Sequence, residues 1–69
     1  MTMRWYRIPD GYMTSAHSYT LIVEKRRTAR GEWTWEVKNT AGRLEYGATI
    51  LFKTAKARAI AAAKERSEQ

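Results

Sequence analysis

The chain has no cysteine, a single proline, a single histidine and four glycines. Without cysteine there is neither a disulfide framework nor a cysteine-bound zinc site, and one imidazole, that of His17, cannot hold a metal alone. The same shortage closes most routes to nucleophilic catalysis. Ser15 and Ser18 flank His17, but neighbours on one loop lack the oriented base, itself held by a third group, that a catalytic triad requires. Glu24, Glu36 and Glu45 cluster at best on an open, solvated sheet face, where carboxylates stay ionised. There is no glycine-rich phosphate loop, and 69 residues leave little room for a substrate cavity. The sequence therefore predicts a protein that is not an enzyme and takes no metal or cofactor. No apolar run approaches the roughly 20 residues that span a bilayer, and the opening MTMRWYRIPDGYMTSAHS lacks the apolar core of a signal peptide. The expectation is no membrane association and a cytoplasmic location, in a host cell if the chain is phage-encoded.

Acidic residues are also scarce: seven against thirteen Lys and Arg, a formal net charge of +6. By segment the formal charge is +1 over residues 1–18 (two cations, one acid), +3 over 19–31 (four and one), −1 over 32–52 (two and three) and +3 over 53–69 (five and two). A basic excess concentrated in this way favours polyanions, nucleic acid first among them, or an acidic protein surface. Solubility alone is the plainer explanation of a small basic protein.

One domain is the most that this length allows, and a chain so short buries only about 60% of its extended surface. Residues 1–18 read as an irregular, extended arm, with a short edge strand as the alternative, and with Trp5, Tyr6 or Tyr12 lying over the end of the core. Pro9-Asp10-Gly11 is a turn triplet, and Thr14-Ser15-Ala16-His17-Ser18 reads as loop. Tyr19 to Lys25 is β-branched and aromatic, a strand with Tyr19, Leu21 and Val23 on one face and Thr20, Ile22 and Glu24 on the other. Lys25 to Gly31 follows as a basic hairpin loop. Glu32 to Asn39 alternates strictly, with Trp33, Trp35 and Val37 pointing one way. Asn39-Thr40-Ala41-Gly42 suits a type I turn with a glycine bulge. Arg43 to Phe52 resumes the alternation, which places Leu44, Tyr46, Ala48, Ile50 and Phe52 inside and Arg43, Glu45, Gly47, Thr49 and Leu51 outside. Thr54 reads as a helix N-cap, and Ala55 to Arg66 as a helix whose inward stripe is Ala55, Ala59, Ile60 and Ala63. The predicted architecture is α+β: a three-stranded antiparallel β-meander packed against one C-terminal α-helix, a single β-β-β-α domain over residues 19–69 behind the arm.

In such a meander the 25–31 loop and the helix start lie at the same end of the sheet. That end gathers Lys25, Arg26, Arg27 and Arg30 with Lys53 and Lys56, beside the unpaired N–H groups and positive dipole end of the helix. These six residues are the candidate anion or nucleic-acid site, and a solvated basic loop is the alternative. Arg4, Trp5, Tyr6 and Arg7 form a second candidate, a basic and aromatic arm able to stack on bases, with burial of its rings as the alternative. The outward sheet face carries several carboxylates where a sheet inserted into a DNA groove would meet phosphates, which argues against that binding mode.

One resemblance rests on these positions taken in order: Leu21 and Val23; Gly31 followed by Trp33, Trp35 and Val37; Gly42-Arg43; Leu44, Tyr46 and Gly47; then Phe52 and Thr54 with Ala57-Arg58 and Ala61. Over residues 19–66 the pattern resembles the arm-type DNA-binding domains at the N-termini of phage and genomic-island tyrosine recombinases. The resemblance implies a three-stranded sheet on one helix. It carries over no recombinase catalytic domain, and the acidic sheet face carries over no DNA-reading residue.

Three functions follow. The first is a small basic module binding DNA or RNA through phosphates; the second is a phage or mobile-element protein that inhibits or modulates a larger host protein; the third is a domain that self-associates through an open strand edge. A monomer or a weak homodimer fits all three.

Overall fold

The computed structural model describes residues 4–26 and 31–68. Five strands, β1 (Tyr6–Ile8), β2 (Gly11–Ala16), β3 (Tyr19–Lys25), β4 (Trp33–Asn39) and β5 (Gly42–Thr49), precede one helix, α1 (Phe52–Ser67). They form one antiparallel sheet in the order β1-β2-β3-β4-β5, an uninterrupted meander. The antiparallel sheet and the C-terminal helix agree with the sequence pattern, but the sheet has five strands where three were expected.

The two additional strands come from residues 1–18, which do not form an irregular arm. Pro9 and Asp10 turn β1 into β2, and Gly11 lets β2 lie close against β3. A Cβ there would stand 1.9 Å from the Val23 carbonyl oxygen. Thr14 to Ala16 are paired with β3 along their length, Thr14 opposite Leu21 and Ala16 opposite Tyr19. The loop is only His17-Ser18, with φ of 53° and 70°, the positive φ at both central residues that a type I′ hairpin turn requires. Asn-Gly would have advertised such a turn; His-Ser does not. Thr14 is buried despite its hydroxyl, which donates to the Arg4 carbonyl and so leaves no polar group stranded.

Residues directly opposite in an antiparallel pair share a face. Leu21, Val23, Trp35 and Val37 thus line one side of the sheet and are buried with Ala55, Ala59, Ala62 and Ala63 of α1. Alanine brings little apolar area, but it allows the helix to lie close over the large indole of Trp35.

From Glu45 to Thr49 the sides of β5 are the reverse of those expected, whereas Arg43 faces away from the helix as expected. Gly47 pairs with Trp35, and Glu45 with Val37, so Glu45, Gly47 and Thr49 turn towards the helix. Tyr46 pairs with Glu36 and Ala48 with Thr34, on the opposite side. Tyr46 is 68% exposed and Ile50 60%, so neither is core. The reason is spatial: the Trp35 indole lies where a Cβ at Gly47 would be, with Nε1 2.7 Å from it. Gly47 therefore marks the approach of Trp35. The register shifts by one residue between Val37 and Lys38, leaving Leu44 as the extra, bulged residue between Arg43 and Glu45. Next to the bulge, Arg66 near the helix end donates to Glu45 (3.2 Å) and to the Leu44 carbonyl (3.0 Å), pinning α1 to β5.

The helix starts earlier than expected. Leu51, in an extended conformation, occupies the N-cap position without a side-chain cap, and Thr54 lies inside the first turn. The Ala55 N–H bonds to the Leu51 carbonyl (3.1 Å), and the Thr49 hydroxyl donates to the same oxygen (2.8 Å). Among the described residues no helix is long and apolar enough to cross a membrane.

Candidate nucleic-acid interface

Three segments meet at the end of the sheet where α1 begins: the Pro9-Asp10 turn, the facing ends of β3 and β4 at Lys25-Arg26 and Glu32, and the β5–α1 junction. The Lys25 N–H donates to the Asp10 carbonyl, which ties the first two segments together, and the Arg26 N–H to the Glu32 carbonyl, which joins the ends of β3 and β4, both at 2.8 Å. Lys25 pairs with Trp33, and Trp33 with Thr49, which carries the contact across to the helix start.

On the helix side of this end lies a cluster of rings. Phe52, the first helical residue, has its ring centroid 4.6 Å from that of Trp33 and 5.3 Å from that of Tyr12, both tilted contacts. Lys56, one turn on, holds its Nζ 5.1 Å from the Trp5 ring centroid and 5.3 Å from that of Phe52. An ammonium over two ring faces is attracted by their quadrupoles, roughly 0.5–1 kcal/mol at sites open to water. Arg7, Asp10, Tyr12, Lys25 and Trp33 line an adjoining groove of about 270 Å³. Lys53, exposed, stands in the first helical turn, which contains no acidic residue. Cations at a helix N-terminus oppose the dipole, a cost of a few tenths of a kcal/mol each when exposed.

The sequence-predicted site is thus partly assembled and partly divided. Lys25, Lys53 and Lys56 belong to the helix-side end. Arg26 lines a second groove, of about 490 Å³, with Glu24, Glu36, Arg43 and Tyr46 on the uncovered side of the sheet, and Lys25 reaches both grooves. Arg27 and Arg30 lie outside the described residues. The group Arg4, Trp5, Tyr6 and Arg7 is contiguous in sequence but divided in space by strand alternation. Trp5 packs on the core, and Arg7 opposite Tyr12 joins the helix-side groove. Tyr6 opposite Met13 lies on the uncovered side, with the Arg4 guanidinium 5.6 Å from its ring centroid.

Sequence reasoning places Phe52 inside and leaves Tyr12 as one of three rings that could lie over the core, without joining the two as the structure does. The parity of Tyr12 with Thr14 and Ala16 was the available signal, and reading Thr14 to Ser18 as loop concealed it. On the uncovered side, Arg43 pairs with Glu36 at 3.3 Å and lies 4.7 Å from the Tyr46 ring centroid, a cross-strand ion pair of the kind that the mixed charge of that face suggests.

Compared with known protein families, curated proteins and solved structures, the chain matches none of them.

Proposed function

We propose that this protein is a small non-enzymatic module that binds nucleic acid by contacting phosphates from the end of the sheet where α1 begins. The observation that carries the reading is a set of cations at one end of the sheet: Lys56 over Trp5 and Phe52, Lys25 opposite Trp33 in the register, Arg7 in the groove that Lys25, Tyr12 and Trp33 also line, and Lys53 in the uncapped first turn of α1. Lys53 and Lys56 sit at the end of the helix where cations are least favoured, and a bound anion offsets that repulsion.

The rings support cations rather than offer themselves to bases. Trp5 is covered by Lys56, and Trp33 is occupied by Phe52. Binding of this kind contacts the backbone and leaves sequence unread. Mixed-sequence DNA and RNA titrated with the protein by gel shift at about 50 and about 200 mM salt test it. Four phosphate contacts give a logarithmic salt slope of about −3.6, hence a loss of affinity of roughly 100-fold between the two conditions. Absence of binding to either nucleic acid at micromolar protein ends the proposal.

A further inference from the structure

Among the described residues nothing covers the side of the sheet opposite α1, and its central row is largely apolar. One side-chain row runs across all five strands through Tyr6, Met13, Ile22, Glu36 and Tyr46, each opposite the next. The acid within this row is already compensated, since Glu36 is paired with Arg43 at 3.3 Å. The apolar period of β5, which the helix side rejects because Trp35 fills the space over Gly47, is spent here on Tyr46 and Ala48. A helix on one face of a sheet leaves the other needing either a polar surface or a partner.

We infer that this face is where a second copy of the same chain docks, sheet against sheet. Its charge is what selects the occupant. The row on the helix-start side of Ile22 holds Glu24 beside Thr34 and Ala48, and the row on the far side holds Lys38 and Arg43 beside Thr20. A two-fold axis running across the strands lays each strand over its own equivalent and reverses the rows. Glu24 of one copy then comes over Thr20 of the other, one strand from Lys38, and the exchange occurs twice. Ile22 meets Ile22 at the centre, and Arg43 travels with Glu36. The face is therefore complementary to itself in this orientation.

Strands about 4.8 Å apart and same-face rows about 7 Å apart make the face roughly 500 Å² with its rim. The two copies together bury roughly 1,000 Å², the lower limit for a specific interface, so the dimer is weak. The basic ends proposed to bind nucleic acid are left free, at opposite ends of the assembly.

Sedimentation or light scattering of the full chain across concentration tests the inference. The expected result is a mass of two chains at about 500 µM, falling to one chain below about 1 µM. Ile22→Arg abolishes the dimer, while circular dichroism checks that the fold is kept. Glu24→Lys and Lys38→Glu each weaken association at least about 10-fold, and the double exchange restores it, which neither a merely destabilised fold nor a contact elsewhere reproduces. A one-chain mass at every concentration overturns the inference. So does a dimer that is indifferent to Ile22→Arg and to the charge exchange, because its interface then lies on another surface such as the β5 edge. If the chain stays monomeric and Ile22→Arg removes nucleic-acid binding, the face belongs to nucleic acid instead.

Discussion

The two sides of the sheet are built from the same strands and differ in nearly everything else. On the helix side Leu21, Val23 and Val37 are fully buried, and glycine stands where Trp35 needs room. On the other side Ile22 and Glu36 are half-buried, Tyr46 is two-thirds exposed, and an arginine lies against each tyrosine. Residues adjacent in sequence therefore do different work, one holding the fold and the next presenting a surface. Stability is concentrated on one side, and the capacity for contact on the other side and at the helix-start end.

Adjacent residues sharpen this difference most. Leu21→Ala removes a fully buried side chain from a small core and is expected to cost about 3 kcal/mol, a large share of the stability of a chain this size. Ile22→Ala, one residue on, is expected to cost about 1 kcal/mol or less in the monomer. Urea unfolding of dilute protein compares them, and equal losses would erase the distinction between the faces. Next in size is Gly47→Ala, which drives a Cβ into the Trp35 indole and is expected to cost about 1–3 kcal/mol and to alter Trp fluorescence. Tyr46→Ala beside it stays within about 0.5 kcal/mol.

The smallest contrast lies between two arginines. Arg66 bridges α1 to Glu45 and to the Leu44 carbonyl, and Arg66→Ala is expected to cost about 1 kcal/mol, the carbonyl bond adding to a partly solvated ion pair. Arg43→Ala breaks the more exposed pair with Glu36 and the contact with the Tyr46 ring, with an expected loss of about 0.5 kcal/mol. Thermal melts at low and high salt resolve the order, and a larger loss at Arg43 would reverse it.

The helix and the β3–β5 meander were legible because alternation and alanine-rich propensity leave few options. β1 and β2 were not legible, for a physical reason. A strand of short polar residues such as Thr14 and Ser15 has the composition of a loop, and its turn adopts positive φ with His17 and Ser18 in place of Asn and Gly. The inversion of β5 was hidden for a related reason. Apolar alternation shows that one face is suited to burial without saying which, and Gly47, the residue that decides it, looks neutral until Trp35 is placed over it. Of the candidate site, Lys25, Lys53 and Lys56 were readable from topology alone, whereas the parting of Arg4 and Tyr6 from Trp5 and Arg7 required the strand that the sequence concealed.

The decisive experiment removes the same charge from two places. Lys25→Ala with Lys53→Ala takes two cations from the helix-start end, and Arg58→Ala with Lys64→Ala takes two exposed cations from further along the same helix. Fluorescence anisotropy of a mixed-sequence oligonucleotide is followed against salt for both. The first pair is expected to lower the salt slope by about 1.8 and weaken binding about 10-fold or more, and the second to leave the slope nearly unchanged. Equal losses from the two pairs, or no binding by the unaltered chain at micromolar concentration, would contradict an interface at the start of α1.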